Sequence, residues 1–389
     1  MAYPKIIEHT GGDCLILKSE LLATKVIQIQ TENPDILIVG SGLTGSIMAY
    51  ELNRLRYSVL VIESRNWVGG NIREAFHESR IRYGVYGPHF FRTGSKRIWD
   101  FVNSITPFRE HHHILKVSLN NQLYNWPLSR AEMDCYEINV QPKYTIPQTF
   151  EEACLNDIPI MVYQDFVENY TQKQWGVHPS LLSPDLYKRI RISDGKDFRL
   201  SLKRYQGLPV KGFNTLVEGL LSGIPVMLNT SFKSLHSSLN PRLLTIYTGP
   251  IDEYFDFRLG HLGYRGQHRR HTFHDTPGFE QTYSVLNTPS TNVSSIRTIE
   301  WKHLQPEANS IQGSLITKET PTTPESSDHY EYPFPDQANK DLCRDYQKLA
   351  LKEKNVIFAG RLGEYRYLDM DQAVGRALVK VKNLVRALG

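Results

Sequence analysis

The chain has 389 residues, enough for two or three domains of ordinary size. Its hydrophobic fraction of 40% and charged fraction of 22% are typical of folded globular proteins and exclude wholesale disorder. The net charge of +4 is too small to indicate a nucleic-acid-binding protein, but it is compatible with an anionic small-molecule substrate. No CxxC pair occurs among the cysteines, so neither a zinc site nor a disulfide framework is predicted: Cys14, Cys135, Cys154 and Cys343.

The sequence carries no targeting pattern that we recognise. No window approaches the ~18 consecutive apolar residues of a membrane helix. The first residues lack the charged start, apolar core and cleavage site of a secretory signal. We therefore expect a cytoplasmic protein without membrane insertion. Residues 1–33 have no strong pattern and are interpreted as an N-terminal extension.

The first clear unit in the chain is a strand, helix and strand. A continuous apolar run at 36–39 predicts a strand that is buried on both faces. Apolar residues then recur at helical spacing, and a second apolar run at 59–62 predicts the next strand. Between the first strand and the helix lies the sequence GSGLTG.

This glycine-rich turn has the spacing of a dinucleotide-binding site. Gly40 allows the tight turn, Gly42 lets a pyrophosphate approach the backbone, and Gly45 lets the helix pack on the strand. Glu63, 18 positions beyond Gly45, is placed to accept hydrogen bonds from ribose hydroxyls. The helix N-terminus would direct backbone N–H groups at the phosphates.

Two further segments distinguish FAD from NAD. The sequence RNWVGGN at 65–71 resembles the second glycine pair of flavoproteins with two dinucleotide-binding domains, and 360–372 resembles their C-terminal flavin motif. No second GxGxxG is present for a nicotinamide cofactor. The residues predicted to bind FAD are Gly40, Gly42, Gly45, Glu63, Arg65, Gly70, Asn71, Gly360, Arg361, Met370, Asp371 and Gln372.

The rest of the chain alternates helical and β-prone stretches. Helices are predicted at 96–104, 148–156, 160–172, 184–190, 212–222, 337–352 and from about 371 to 387. Strands are predicted at 243–248 and 356–359, and an antiparallel sheet within 255–320.

Beyond these patterns, the chain resembles the UDP-galactopyranose mutases over roughly residues 34–385. The segments that carry the resemblance are YGPHFF at 86–91, YTQKQWG at 170–176, KRI at 188–190, YQGLP at 205–209, GPIDEYFD at 249–256, IRTIEWKH at 296–303 and GEYRYLDMDQ at 363–372. The resemblance implies an α/β fold with a discontinuous FAD-binding Rossmann-like domain. That domain would comprise residues 34–95, 205–250 and 337–389. The resemblance also implies an inserted helical domain at 96–204, which carries a mobile substrate loop, and an antiparallel β-sheet domain at 251–336.

The resemblance also implies an isomerase. The reaction would be a redox-neutral interconversion of the pyranose and furanose forms of a nucleotide sugar, with N5 of reduced FAD attacking the anomeric carbon. The expected product serves as a precursor of cell-surface polysaccharides, and the protein is expected to be a homodimer.

Residue roles follow from the same motifs. By position, Arg189 and Arg297 match the two arginines that hold the diphosphate, and Arg supplies bidentate hydrogen bonds to phosphate better than Lys. His89 matches a residue beside the flavin. These three are the predicted catalytic residues, and the predicted substrate-binding residues are Phe166, Tyr170, Trp175, Arg265, Asn287, Tyr332, Tyr367 and Asp369.

The sequence departs from the family pattern on the side of the sugar and the base. Gly84 and Arg92 replace histidines, Val167 replaces an aromatic residue, Leu200 replaces a loop tyrosine, and Ser290 replaces an aspartate. A site that hydrogen-bonds a hydroxyl discriminates strongly against analogues that lack it. The departures therefore favour another nucleotide sugar, such as the 6-deoxy sugar dTDP-fucopyranose, and unaltered UDP-galactopyranose specificity is the alternative.

Two other functional classes share part of this pattern. An FAD-dependent oxidoreductase of the amine-oxidase or desaturase type would share the flavin motifs but would not need Arg189 and Arg297. A non-catalytic homologue that binds nucleotide sugars would fit the altered loop. The run His111–His113 predicts no metal site, because adjacent residues on a strand point to opposite faces and no ligand pattern completes the set.

Overall fold

A computed structural model describes residues 5–8, 33–135, 140–235 and 239–388. Of the predicted N-terminal extension, Lys5–Glu8 and Asn33 lie in these ranges, whereas Cys14 lies outside them. The strands are β1 (Lys5–Glu8), β2 (Ile36–Val39), β3 (Val59–Ile62), β4 (Glu74–Phe76), β5 (Arg82–Gly84), β6 (Phe91–Thr93), β7 (Phe108–Glu110), β8 (Leu115–Leu119), β9 (Gln122–Trp126), β10 (Tyr205–Pro209), β11 (Val226–Met227), β12 (Leu244–Tyr247), β13 (Tyr264–His274), β14 (Val285–Asn287), β15 (Arg297–Glu300), β16 (Ser314–Thr322), β17 (Tyr332–Pro333) and β18 (Val356–Phe358).

Helices connect and cover the sheets. The α-helices are α1 (Leu43–Arg54), α2 (Lys96–Ile105), α3 (Arg130–Asp134), α4 (Phe150–Leu155), α5 (Ile160–Val162), α6 (Asn169–Trp175), α7 (Phe213–Leu221), α8 (Phe232–Leu235), α9 (Ile251–Tyr254), α10 (Gln337–Ala350), α11 (Gly360–Gly363) and α12 (Met370–Leu388). Short 3₁₀ segments and one π-helical segment, Tyr163–Glu168 between α5 and α6, complete the helical structure.

A five-stranded parallel sheet forms the nucleotide-binding layer. Its order is β11-β3-β2-β12-β18, and neighbouring strands pair in parallel. Every residue of β2 and β3 is buried, because helices cover both faces of a parallel sheet. Helix α1 links these two strands and packs against α7 and α12. This layer confirms the predicted α/β fold with a Rossmann-like domain.

A second, mainly antiparallel sheet faces the helical segments. Its order is β1-β13-β16-β15-β14-β8-β9, and β17 pairs with β13. All its pairings are antiparallel except that between β14 and β8. Strand β1, from the N-terminal extension, lies at one edge, where Lys5–Glu8 pair with Arg270–Phe273.

The segment 96–204 contains more strand than its sequence predicts. Strands β8 and β9 form a hairpin that extends the antiparallel sheet through β14, and β7 pairs with β10. The predicted helix at 160–172 is present as three consecutive pieces that end at Trp175. Apolar residues of the segment 96–204 form a separate core, which includes Phe150, Tyr163 and Phe166. The boundaries between the domains stay a prediction.

Within the described ranges, no helix is long and apolar enough to cross a membrane.

Candidate active site

The glycine-rich turn lies between β2 and the N-terminus of α1. Gly40 has φ +98°, and a Cβ on it would lie 2.2 Å from Thr248 Oγ1. A Cβ on Gly45 would lie 2.0 Å from the Gly40 carbonyl oxygen, so the helix reaches the strand only because this residue is glycine. Gly42 is the N-cap of α1 and leaves the first backbone N–H groups of the helix free for a ligand's phosphates.

Glu63 lies beside this turn at the end of β3. Its Oε2 accepts hydrogen bonds from the backbone N–H of Ser41 at 2.9 Å and from the Ser41 hydroxyl at 2.7 Å. Its Oε1 accepts from the backbone N–H of Arg65 at 3.1 Å. The Arg65 guanidinium donates to the Asp328 carbonyl at 2.9 Å and lies over the ring of Tyr86. A ribose would meet this buried carboxylate in a fixed orientation.

The second glycine pair touches the first. Gly70 has φ +53°, and a Cβ on it would lie 2.9 Å from Gly42 Cα. The neighbouring Asn71 donates to the Tyr330 carbonyl at 3.0 Å. The indole N–H of Trp67 is buried without a hydrogen-bond partner among the described residues. A backbone cradle of this kind admits a pyrophosphate, and a side chain at Gly70 would close it.

The C-terminal motif brings α11 and the start of α12 to the same place. Gly360, with φ +82°, packs against Thr44 of α1. Asp371 lies in the first turn of α12, where Oδ2 accepts from Lys203 Nζ at 2.7 Å and the buried Oδ1 has no partner within the described residues. Gln372 accepts from the backbone N–H of Asp369 at 2.9 Å, next to Met370, the first residue of the helix.

Arg361 fastens this motif to the antiparallel sheet. Its guanidinium donates to the carbonyls of Glu331 at 2.7 Å and Leu368 at 2.6 Å. It also lies over the rings of Tyr332 and Tyr367, 5.8 Å and 5.2 Å from their centroids. The cofactor-side and substrate-side residues therefore share one scaffold.

His89 is uncharged in this environment. Burial, with Arg361 and Arg269 nearby, lowers the pKa of His89 to about 4. Its Nδ1 lies 3.0 Å from the Gly87 carbonyl, which can only accept, so Nδ1 carries the proton and Nε2 is left as an acceptor. At neutral pH this residue can position a ligand hydroxyl or accept a proton, but it supplies no positive charge.

Arg189 extends from a 3₁₀ segment over Tyr367. Its Cζ lies 3.9 Å from the ring centroid, and its guanidinium donates to Asp369 Oδ1 at 3.0 Å. The rings of Tyr367 and Tyr332 stack with centroids 5.4 Å apart. Burial would raise the pKa of Asp369, but Arg189 and Arg92 outweigh it and lower that pKa. The Arg189 side chain is 39% exposed, so it can exchange Asp369 for a ligand.

Arg297 interacts electrostatically with Tyr332 and belongs to a buried ion-pair network. Arg297 donates to Oε2 of Glu319. The other carboxylate oxygen of Glu319, Oε1, accepts from Arg269 at 2.8 Å. Arg269 makes two further 2.8 Å hydrogen bonds to Glu331. Burial alone would raise the pKa of Glu319, but the two arginines lower it. Two guanidiniums on two carboxylates make the network neutral, and Arg297 is its outermost cation.

Tyr170 and Asn287 lie close to Arg297. Asn287 pairs with Arg297 across β14 and β15, and its side chain interacts with Tyr170 of α6. Burial raises the pKa of Tyr170, so its phenol stays protonated. Both Arg297 and Arg189 interact electrostatically with Tyr332. The structure thus brings Arg189 and Arg297 together with five more predicted residues: Tyr170, Asn287, Tyr332, Tyr367 and, through Arg189, Asp369.

Two predicted aromatic residues border this group. Trp175 packs edge-to-face on Tyr332 with centroids 6.3 Å apart. Phe166 is 4% exposed and packs on Tyr124 and Trp126 of β9, so it belongs to the core of the helical segment.

Arg265 is placed differently. Its guanidinium donates to the Gln174 carbonyl at 2.9 Å, to Thr323 Oγ1 at 2.6 Å and to the Lys173 carbonyl at 3.4 Å. These contacts hold the C-terminal end of α6 and leave its role toward a substrate indirect.

Several charged residues at the site lack a motif and were missed in the sequence. Lys203 donates a hydrogen bond to Asp371. Arg269, Glu319 and Glu331 form the ion-pair network to which Arg297 also belongs. The sequence offered little signal for this network, because charged residues are adjacent in β13 (Arg269 and Arg270) and in β16 (Lys318 and Glu319), and such polar runs predict a solvated strand. In the structure, Arg269 and Glu319 are buried.

The positions that depart from the family pattern lie in different environments. A Cβ on Gly84 would lie 2.1 Å from the Gly87 carbonyl oxygen, so no side chain fits there. Val167 is 3% exposed in the core of the helical segment, and Leu200 packs on the main core. Arg92 is a cation close to Asp369 and His113.

One group outside the cleft has the composition of a metal site. Ligand atoms of Glu151, Glu168 and His178 lie within 4.8 Å of one another. The backbone N–H of Ser180 donates to His178 Nδ1 at 3.3 Å, so Nε2 carries the proton and donates to Glu168 at 3.2 Å. Hydrogen bonding therefore accounts for this group without a metal ion.

Comparison with known sequences assigns two regions. The UDP-galactopyranose mutase family matches residues 165–367, and an NAD(P)-binding Rossmann-like domain matches residues 38–105. The chain is 30% identical over 362 residues to a probable UDP-galactopyranose mutase of Klebsiella pneumoniae, covering 89% of this chain and 93% of that protein. It is 28% identical over 374 residues to a dTDP-fucopyranose mutase of Escherichia coli, covering 88% and 96%.

Comparison with solved structures gives the same fold. A reduced UDP-galactopyranose mutase superposes with a TM-score of 0.76 at 15% identity, covering 92% of this chain and 95% of the other. A putative protoporphyrinogen oxidase from Exiguobacterium superposes with a TM-score of 0.61 at 12% identity, covering 90% and 98%. The sequence matches and the fold agree, and the chain belongs to the UDP-galactopyranose mutase family of isomerases.

Proposed function

We propose that this nucleotide-sugar mutase binds FAD and uses its reduced form to interconvert pyranose and furanose sugars. The contact of Gly42 with Gly70 gives a cradle without side chains at the N-terminus of α1. The unpartnered Trp67 N–H and Asp371 Oδ1 are buried polar atoms that a polar ligand would satisfy. These features fit a dinucleotide such as FAD, with Glu63 at the ribose and the start of α12 at the flavin side.

When bound in its reduced form, the flavin supplies the nucleophile, N5, that takes the anomeric carbon from the diphosphate. The protein must hold the departing diphosphate and return it. Arg189 lies over Tyr367, Tyr367 stacks on Tyr332, and Arg297 interacts with Tyr332; this single arrangement carries the proposal. Two cations and two phenolic hydroxyls can provide hydrogen bonds to the oxygens of a diphosphate.

The remaining residues orient the sugar and the base. Tyr170 and Asn287 present a phenol and an amide beside Arg297, which suits a nucleoside. His89, neutral with its Nε2 free to accept, suits a sugar hydroxyl next to the flavin. Arg265 acts through the end of α6. Holding both reacting groups in one orientation supplies much of the rate enhancement of such a reaction.

The substrate is UDP-galactose or a 6-deoxy analogue such as dTDP-fucose. Gly84, Val167 and Leu200 present no hydrogen-bonding side chain where the family pattern has polar or aromatic residues. A sequence that has lost hydrogen-bonding groups has less basis for selecting a hydroxymethyl group over a methyl group. The E. coli relative at 28% identity is named for dTDP-fucopyranose, and this name supports testing that sugar first.

The same site argues against an oxidoreductase, but it does not by itself exclude a non-catalytic nucleotide-sugar-binding protein. A flavin-dependent oxidoreductase shares the fold, as the protoporphyrinogen oxidase shows, but has no use for two arginines around stacked tyrosines. A non-catalytic nucleotide-sugar-binding protein would keep the arginines and fail to turn over. We further propose a homodimer that makes precursors for surface polysaccharides, in keeping with the family resemblance.

The test compares both sugars under anaerobic conditions. Dithionite-reduced protein is incubated with UDP-galactofuranose or with dTDP-fucopyranose, and products are resolved by anion-exchange chromatography. Faster conversion of dTDP-fucopyranose supports the 6-deoxy assignment, and faster conversion of UDP-galactofuranose supports unaltered specificity. Binding of UDP and dTDP without conversion of either sugar would instead indicate the non-catalytic homologue.

A further inference from the structure

Lys173 has an unusual set of hydrogen-bond partners. It lies on α6, three residues after Tyr170, and its ammonium group donates to four backbone carbonyls of one loop. The acceptors are the carbonyls of Thr288 at 2.6 Å, Ser290 at 2.7 Å, Val293 at 3.2 Å and Ser295 at 2.9 Å. An ammonium group has three protons, so its donor capacity is fully used by this loop.

The loop at 288–295 connects the two strands that carry predicted substrate residues. Asn287 ends β14, Arg297 begins β15, and the two residues pair with each other. Tyr170 of α6 interacts with the Asn287 side chain. A single ammonium group therefore holds α6, which carries Tyr170, against the β14–β15 hairpin, which carries Asn287 and Arg297.

No carboxylate balances the charge of Lys173 among the described residues, and burial lowers its pKa to about 8. A half-buried cation that is satisfied by carbonyl dipoles without a counter-ion is a costly arrangement. It is specific, however, because the carbonyls converge only when the loop is folded around the ammonium group. A neutral apolar side chain here would leave four carbonyls without this donor.

The opposite side of the same helix end is also fastened. Arg265 of β13 donates to the carbonyls of Gln174 and Lys173, and Gln267 donates to Gln174 Oε1 at 2.9 Å. The end of α6 is thus held on β13 by Arg265 and on the loop by Lys173. Because β13 is a long strand that pairs with β1 on one side and β16 on the other, the loop is the adjustable member of this arrangement.

We propose that Lys173 is a positioning residue for the nucleotide. It holds the loop at 288–295 closed on α6, so that Asn287 and Tyr170 meet the nucleoside and Arg297 meets the diphosphate. This inference rests on the proposed function, because it assigns the nucleotide to that wall. Lys173 itself touches neither the substrate nor the flavin, so its loss should weaken binding more than it slows the chemical step.

The test replaces Lys173 with Met in the FAD-loaded protein. We expect the dissociation constant of UDP or dTDP, measured with oxidised protein by flavin fluorescence, to rise about tenfold, and KM to rise with it. We expect kcat to change less than about threefold. Hydrogen exchange of the backbone at 288–295 should become faster, while the flavin content stays unchanged. Lys348→Met, which removes an exposed lysine paired with Asp345 on α10, is the matched control.

Two further variants keep the proposal falsifiable. Lys173→Gln retains an amide donor and should weaken nucleotide binding by about threefold even if the Met variant folds poorly. Lys173→Ala should regain affinity when methylammonium or ethylammonium is added, because a free ammonium can occupy the ring of carbonyls. A structural role unrelated to the nucleotide would give no such rescue.

The outcomes separate this inference from the proposed function. Unchanged nucleotide affinity in the Lys173 variants, with wild-type protein binding normally, overturns the role of Lys173 alone. Faster loop exchange with unchanged affinity overturns it as well. Failure of the wild-type protein to bind UDP or dTDP overturns the proposed function and this inference together.

Discussion

Replacing Arg189 with Ala tests the diphosphate site with little risk to the fold. The Arg189 side chain is 39% exposed, and its polar partner among the described residues is Asp369, itself 30% exposed and 3.9 Å from Lys203. An ion pair at this degree of exposure stabilises a protein by only about 0–1 kcal/mol. The free energy of unfolding should therefore change little, and FAD should stay bound.

The effect on catalysis should be much larger. A guanidinium can make two charge-assisted hydrogen bonds to a diphosphate, each contributing about 1.5–3 kcal/mol. Their loss from the transition state totals about 3–6 kcal/mol, which corresponds to roughly a 10²- to 10⁴-fold decrease in kcat/KM. Arg189→Lys keeps the charge without the planar fork and should fall between the wild type and the Ala variant.

The assay is anaerobic turnover of the faster sugar by reduced protein, with flavin absorbance and thermal unfolding measured on the same samples. Lys188→Ala is the matched control, because Lys188 is the exposed neighbour of Arg189 and pairs with Asp185. Turnover of Arg189→Ala within threefold of the wild type would refute the placement of the diphosphate at Arg189.

Three other substitutions probe the remaining parts of the site. Arg297→Met should abolish turnover and lower the free energy of unfolding by about 3–5 kcal/mol, because Glu319 is left buried with one cation fewer; a wild-type melting temperature would contradict this. Gly70→Ala should yield folded protein with little flavin, because its Cβ would lie 2.9 Å from Gly42 Cα at φ +53°; a normal ratio of flavin to protein absorbance would refute the cradle. Burial lowers the pKa of His89 from 6.5 to about 4, so the unfolded chain takes up a proton first and stability falls as pH drops between these values. His89→Gln should flatten this part of the decline, and equal slopes in the two proteins would contradict the assignment.

Local patterns allowed the nucleotide-binding layer to be predicted. Strands at 36–39 and 59–62, with the glycine turn between them, are where the structure has β2, α1 and β3. The reason is physical: a parallel strand buried on both faces must be continuously apolar, and the tight approach at Gly45 admits no side chain. The C-terminal helix, predicted from about 371 to 387, extends over Met370–Leu388 for a similar reason, since its apolar residues pack mainly on α1.

Features that depend on contacts between residues far apart in sequence could not be predicted from local patterns. Strands β8 and β9 are stabilised by pairing with β14, which is far away in sequence, so the segment 96–204 resembled a helical insertion. The network of Arg269, Glu319 and Glu331 became visible only when β13 and β16 were paired. Lys173 is an ordinary helical lysine in the sequence, and its four carbonyl partners depend on the fold of a loop more than a hundred residues later.

The most direct test of the central claim is the dependence of turnover on the redox state of the flavin. One preparation is poised at several ratios of oxidised to reduced flavin under argon, and conversion of the nucleotide sugar is measured together with the flavin spectrum. We predict that the rate follows the reduced fraction, that it vanishes in the oxidised protein, and that no reductant or oxygen is consumed per product formed. Turnover by the oxidised protein, or net consumption of oxygen, would contradict a redox-neutral mutase reaction.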